Sequence, residues 1–165
     1  MDVRAIFRPG MRAYFFPLVA GLALAASAFF PWVRIGDIAL GGFPEMAALW
    51  ALGLGVLAAT LALLSLLTRR NSRHPLLVVG LAALGIMFLS WRIMPQSAGE
   101  RADLVSQAYA IVEHTEAVAA PDAATGPGIY LGLAASVVIV LFGLTIVFKR
   151  VANPYTVESA DDDVD

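Results

Sequence analysis

The twenty residues from Ile129 to Phe148, IYLGLAASVVIVLFGLTIVF, carry no charge and decide what kind of protein this is. At a rise of about 1.5 Å per residue they make a helix of about 30 Å, the thickness of a bilayer's hydrocarbon core. The uncharged interval around them is longer still, 26 residues between Asp122 and Lys149. This stretch reads as a transmembrane helix.

Three further stretches share that character. The first, about 13–30, lies in 21 charge-free residues between Arg12 and Arg34, with Pro17 early enough to fall among helix-end donors that need no partner within the helix. The second, about 46–67, lies in 23 uncharged residues between Glu45 and Arg69. The third is shorter, 17 residues between His74 and Arg92, and a snorkelling Arg92 extends it to about 75–94, just before Pro95. Composition agrees: 59% hydrophobic residues, 15% charged and a mean hydropathy of +0.78 lie far from the soluble norm. The fold class expected is therefore all-α, a polytopic membrane protein with four transmembrane helices. Arg4, Arg8 and Arg12 before an apolar run, with Ala26-Ser27-Ala28 after it, also resemble a cleavable signal. An 18-residue apolar core is long for one, and an anchor is the better reading.

Charge sets the expected orientation. Arg4, Arg8, Arg12, Arg69, Arg70, Arg73, Lys149 and Arg150 fall on one side, whereas only Arg34, Arg92 and Arg101 fall on the other. By the positive-inside rule both termini are cytoplasmic. The opposite face carries Asp37, Glu45, Glu100, Asp103, Glu113, Glu116 and Asp122 and is acidic. Arg-rich, Lys-poor usage suggests a GC-rich bacterial genome, which places the chain in the bacterial inner (cytoplasmic) membrane with that face in the periplasm. Residues 1–12 then form a cytoplasmic segment, 13–150 the transmembrane domain and 151–165 a cytoplasmic tail. The tail, ending Asp161-Asp162-Asp163-Val164-Asp165, reads as a disordered acidic run that serves solubility or tethers a basic partner surface.

The connections are unequal. Thr68–His74 is a tight basic turn suited to anionic lipid headgroups. Residues 31–44 and 95–128 are periplasmic loops, and within the longer one 99–120 holds no interior Gly or Pro. There Val105, Ala108, Tyr109, Val112 and Ala119 take helical spacing against Asp103, Ser106, Gln107, Glu113 and His114, which predicts a separate amphipathic helix.

Chemistry is sparse. No ionisable residue lies centrally in any span, which disfavours a proton-coupled pump. With no intramembrane His for haem and no cysteine for thiolate metal sites or disulfides, no cofactor is expected. The net charge of −2 offers no surface for nucleic acid. Glu113-His114-Thr115-Glu116 is the one cluster resembling a site, but neighbouring helical residues point apart and no second His is near, so a solvated face outweighs a metal site.

Candidate partner-binding residues come from two patterns. Gly128, Gly132 and Ser136 form a smooth ridge at four-residue spacing, suited to close helix packing inside the chain or against another subunit, and Gly21 with Ala25 and Ala51 with Gly55 repeat it. Trp32 and Arg34, directly after the first span, read as interface anchors like Trp50, Trp91 and Tyr130, or as a partner-docking point beside the Gly41-Gly42 turn, with Glu113, His114 and Glu116 as docking candidates in the longer loop. No motif is specific enough to name a family.

Two functions follow as expectations. The first is a non-catalytic accessory or structural subunit of a larger inner-membrane complex, respiratory, photosynthetic or secretory, whose partners are other integral membrane subunits and lipids. The alternative is a small carrier or lipid-handling homo-oligomer, which has only Ser27, Thr60, Ser65, Ser90, Ser136 and Thr145 as polar groups in its spans. An enzyme is a minor third, with Glu113, His114 and Glu116 as its one credible group.

Overall fold

A computed structural model describes residues 12–68 and 73–152, with side chains from 13 to 68 and from 73 to 145. Arg4, Arg8, Arg69, Arg70 and the acidic tail lie outside the described residues, as do the side chains of Arg12, Lys149 and Arg150. The chain is mostly helical. After a 3₁₀ turn at Arg12–Tyr14 come α1 (Phe15–Ser27), β1 (Pro31–Ile35), β2 (Ile38–Gly41), α2 (Met46–Thr68), α3 (Arg73–Glu113), β3 (Ala123–Thr125) and α4 (Pro127–Ala152).

Three helices, α2, α3 and α4, are long and apolar enough to cross a membrane. α1 is apolar but has 13 residues, fewer than the expected span of 13–30. Its end has a local cause. A proline forces extended geometry on the residue before it, so Pro31 bars the helix from running on. The last turns tighten instead, with Phe29 N donating to Ala26 O at 3.0 Å and Phe30 N to Ser27 O at 3.2 Å.

The four helices pack in a ring, α1 against α2 and α4, and α3 against α4 and α2. Small residues set the closeness. A methyl group on Gly21 would lie 2.6 Å from Ala59 N, and one on Gly55 2.5 Å from Ala25 N, so α1 and α2 touch backbone to backbone. At the uncapped end of the bundle, Tyr14 meets the Phe142 ring edge-on at 5.0 Å, and the Arg73 guanidinium lies 5.6 Å from the same ring.

Two expectations about the loops are corrected. First, 31–44 is not all loop. β1 and β2 form a hairpin across a two-residue turn in which Gly36 takes φ +56°, a left-handed conformation that costs glycine little. β3 joins the other edge of β1, giving the order β2-β1-β3, so the molecule is not purely α. Second, the amphipathic helix predicted at 99–120 is not separate. It continues the third span through Pro95 as one 41-residue helix that ends at Glu113, about 60 Å long and about twice a hydrocarbon core. Proline removes one amide donor from a helix, and packing holds the axis continuous: Met94 and Ala98 rest on the core, and β1 and β3 lie against α3.

Candidate functional site

The sheet caps one end of the bundle, and Trp32 fastens it. The register of β1 on β2 slips between Pro31 and Val33, so Trp32 is the extra residue of a bulge. Its side chain is fully buried and its Nε1 donates to Ser27 O at 2.8 Å. Two glycines leave room for the indole. A methyl group on Gly42 would stand 2.5 Å from Nε1, and one on Gly128 2.7 Å from Cδ1. Gly126 N donates to Trp32 O at 2.7 Å, which ties the start of α4 to the same residue. Trp32 is therefore a clamp between α1, the hairpin and α4, and not the exposed anchor or docking residue expected.

The other predicted site residues separate into buried and exposed groups. The ridge of Gly128, Gly132 and Ser136 turns inward: Gly128 faces Trp32 and the carbonyls of Ser27 and Phe30, Gly132 faces Met87 and Ser27, and Ser136 is fully buried. This chain itself fills the ridge, which leaves no face there for another subunit. Arg34 is exposed on β1, opposite Ala39 and Ala124. Glu113, His114 and Glu116 are exposed at the far end of α3.

That end explains the histidine. His114 has φ 54°, and Thr115 N donates to Ala110 O at 3.0 Å, a bond that closes the last turn of the helix around a left-handed residue. His114 thus occupies the position where helices usually place glycine. Among the described residues no group of three or more His, Asp or Glu is placed to hold a metal ion.

The face that α3 presents beyond the bundle is the reverse of an ordinary amphipathic arrangement. Two of its polar residues are bonded to the rest of the chain: Asp103 Oδ1 accepts from Ala120 N at 3.0 Å and Ser106 Oγ donates to Val118 O. The returning segment 115–122 has no strand partner there, and these side chains satisfy its backbone groups. The apolar residues consequently face out. Leu104, Val105, Tyr109, Ile111 and Val112 are between 55% and 77% exposed.

Two concavities lie among the described residues. Beneath the hairpin a cavity of about 330 Å³ is walled by Trp32, Val33, Leu40, Met94 and Ala98, with Glu45 and Arg101 also lining it. Between α1 and α4 runs an apolar groove of about 540 Å³ with alanines at Ala20, Ala23, Ala134 and Ala135. Neither the groove nor Leu104 and Ile111 is among the residues that sequence patterns single out. A small-residue pair on each of two helices not adjacent in sequence is the available signal for the groove.

Within the helices the hydroxyls turn back on their own backbone. Ser27 donates to Leu24 O at 2.6 Å, Thr60 to Val56 O at 2.7 Å, Ser65 to Leu61 O at 2.8 Å, Ser136 to Leu133 O at 2.9 Å and Thr145 to Phe142 O at 2.7 Å. Comparison with protein-family models, with curated proteins and with solved structures finds no match to this chain.

Proposed function

We propose that this chain is a non-catalytic accessory or structural subunit of a larger bacterial inner-membrane assembly, joined to other integral membrane subunits. The observation that carries this reading is how the intramembrane hydroxyls are used. Five of the six polar groups available to a transport pathway donate to carbonyls three or four residues back on the same helix. A carrier needs such groups to face a substrate, and these face their own backbone. The backbone contact at Gly21 and Gly55 likewise leaves no passage between α1 and α2.

In this reading α1 and its 3₁₀ turn make a fourth, short span of about 26 Å, accommodated by local thinning of the bilayer. Both termini lie in the cytoplasm, the sheet and the outer half of α3 lie in the periplasm, and Arg73 and His74 meet anionic headgroups. Trp50, Trp91 and Tyr130, all exposed towards the capped end, sit at the membrane boundary. The groove between α1 and α4 receives a transmembrane helix of a partner, since its alanine floor admits a helix backbone closely.

A photo-crosslinking side chain placed at Ala134 in native membranes tests this. The expected product is an adduct with one discrete membrane protein, and it should vanish when Ala23→Phe fills the groove. Crosslinking to lipid alone would remove the groove as a subunit contact.

A further inference from the structure

We infer that the cavity beneath the hairpin holds the headgroup end of a zwitterionic phospholipid, with Arg101 on its phosphate and Glu45 on its ammonium group. At about 330 Å³ the cavity falls within the range of small-molecule sites, ~300–1,000 Å³. Its body is apolar: Val33, Leu40, Met94 and Ala98 wall it, and Trp32, held by its bond to Ser27 O and by the close approach of Gly42 and Gly128, fixes one side. The polar side chains that line it are Glu45, Ser97 and Arg101. Among the described residues Glu45 and Arg101 form no ion pair and no side-chain hydrogen bond, with each other or with any other group. Two opposite charges thus border one apolar cavity, and each is open to a ligand. Ser97 Oγ donates to Met94 O at 3.1 Å, which leaves its oxygen as an acceptor on the same wall.

The two charges select the chemistry of the ligand. A zwitterion satisfies both, whereas a singly anionic amphiphile would pair with Arg101 and meet Glu45 as a like charge. A guanidinium takes two phosphate oxygens at once, and the Glu45 carboxylate and Ser97 Oγ accept from an ammonium. Height selects a lipid over a soluble zwitterion. Glu45 immediately precedes α2, whose 23 residues carry no charge, and Met94 lies one turn past Trp91 on α3. The cavity therefore begins where two apolar helices leave the hydrocarbon layer, at the level of lipid headgroups. Met94, Ser97, Ala98 and Arg101 share one face of α3, which presents the apolar wall and the charge together. Helical side chains lean towards the N-terminus of their helix, so Arg101 leans back over Ser97 and Ala98 towards the bilayer. The site rests on these helices crossing a membrane, and not on the subunit proposed for the α1–α4 groove.

Native mass spectrometry of the full-length protein, incubated in mild detergent with equal amounts of phosphatidylethanolamine and phosphatidylglycerol of the same acyl chains, reads this selection. One retained phosphatidylethanolamine per chain is expected, favoured over phosphatidylglycerol by about tenfold, as for one charge-assisted contact. Arg101→Gln should lower its retention by a similar factor. Glu45→Gln should abolish the preference, because Arg101 still holds either phosphate. Both residues are exposed, so these two variants should keep the helical circular dichroism of the parent. Ala98→Phe, which fills the cavity and leaves both charges in place, should release the lipid as well. Excess free phosphoethanolamine should not displace it. Retention of neither lipid, or of both equally, by the native chain would overturn the proposal, as would retention and preference that survive Arg101→Gln and Glu45→Gln. Undiminished retention in folded Ala98→Phe would move the lipid out of the cavity, and displacement by phosphoethanolamine would make the ligand a soluble zwitterion; either result refutes the site as proposed.

Discussion

If Trp32 clamps the cap through the space left at Gly42, then a methyl group at residue 42 should destabilise the protein only while the indole is present. In the native chain an added Cβ at Gly42 would meet three atoms of the same side chain, Nε1 at 2.5 Å, Cε2 at 2.6 Å and Cδ1 at 2.8 Å. The indole cannot retreat, because it is fully buried and bonded to Ser27 O. Gly42→Ala should therefore cost about 1–3 kcal/mol, the usual range for overpacking. Trp32→Ala should cost about 3–5 kcal/mol as a large-to-small change in a packed site. Independent effects would sum in the double variant. Here they should not, because the methyl group added at residue 42 would project into the space vacated by the ring. The double variant should be no less stable than Trp32→Ala alone, a coupling of about 1–3 kcal/mol. Trp32→Phe isolates the hydrogen bond. Its loss should cost about 1 kcal/mol, at the lower end for a buried group, since Ser27 O still accepts from Phe30 N at 3.2 Å. Equilibrium unfolding in mixed detergent micelles, followed by near-ultraviolet circular dichroism, gives all four stabilities. Additive losses would refute the clamp and make Trp32 one hydrophobic residue among many.

Three other outcomes follow from the same structure. His114→Gly should raise stability by about 1 kcal/mol, because glycine adopts the left-handed conformation at φ 54° without the Cβ penalty, and a loss of stability in thermal unfolding would give His114 a role beyond the helix end. Gly55→Leu should lower the unfolding midpoint by at least the equivalent of about 1–3 kcal/mol for an overpacked core, since the obstacle is the backbone of α1, and an unchanged midpoint would contradict the α1–α2 contact. An impermeant thiol reagent on intact cells should label cysteine at Gln107 and spare cysteine at Ser72, and the reverse pattern would invert the proposed orientation.

The long helices were legible because runs of 23, 17 and 26 uncharged residues admit few alternatives in either water or lipid. The cap was not, although its signal was present: Val33-Arg34-Ile35 and Ile38-Ala39-Leu40 flank Gly36-Asp37, a two-residue hairpin turn hidden by the proline- and glycine-rich composition around it. β3 could not be read at all. Ala123-Ala124-Thr125 has no strand propensity to speak of and pairs because β1 offers it an edge. Pro95 misled in the other direction, since local rules end a helix there and tertiary packing carries it through. At the candidate site, helical spacing grouped Val105, Ala108, Tyr109, Val112 and Ala119, and the first four share a helix that ends at Glu113, before Ala119. The direction of that face is not in the spacing: the returning segment needs hydrogen-bond partners, Asp103 and Ser106 supply them, and the apolar residues are left facing out. The ridge at Gly128, Gly132 and Ser136 was a real packing surface whose partner, the chain's own Trp32 and Met87, lies far away in sequence.

The claim that this chain works as part of a larger membrane assembly is tested most directly by gentle extraction from native membranes, followed by sizing and mass spectrometry of whatever travels with it. The expected result is a discrete particle containing this chain together with at least one other integral membrane protein in fixed ratio. A particle holding only this chain and detergent, recovered from membranes in which transport or lipid transfer depends on its presence, would contradict it.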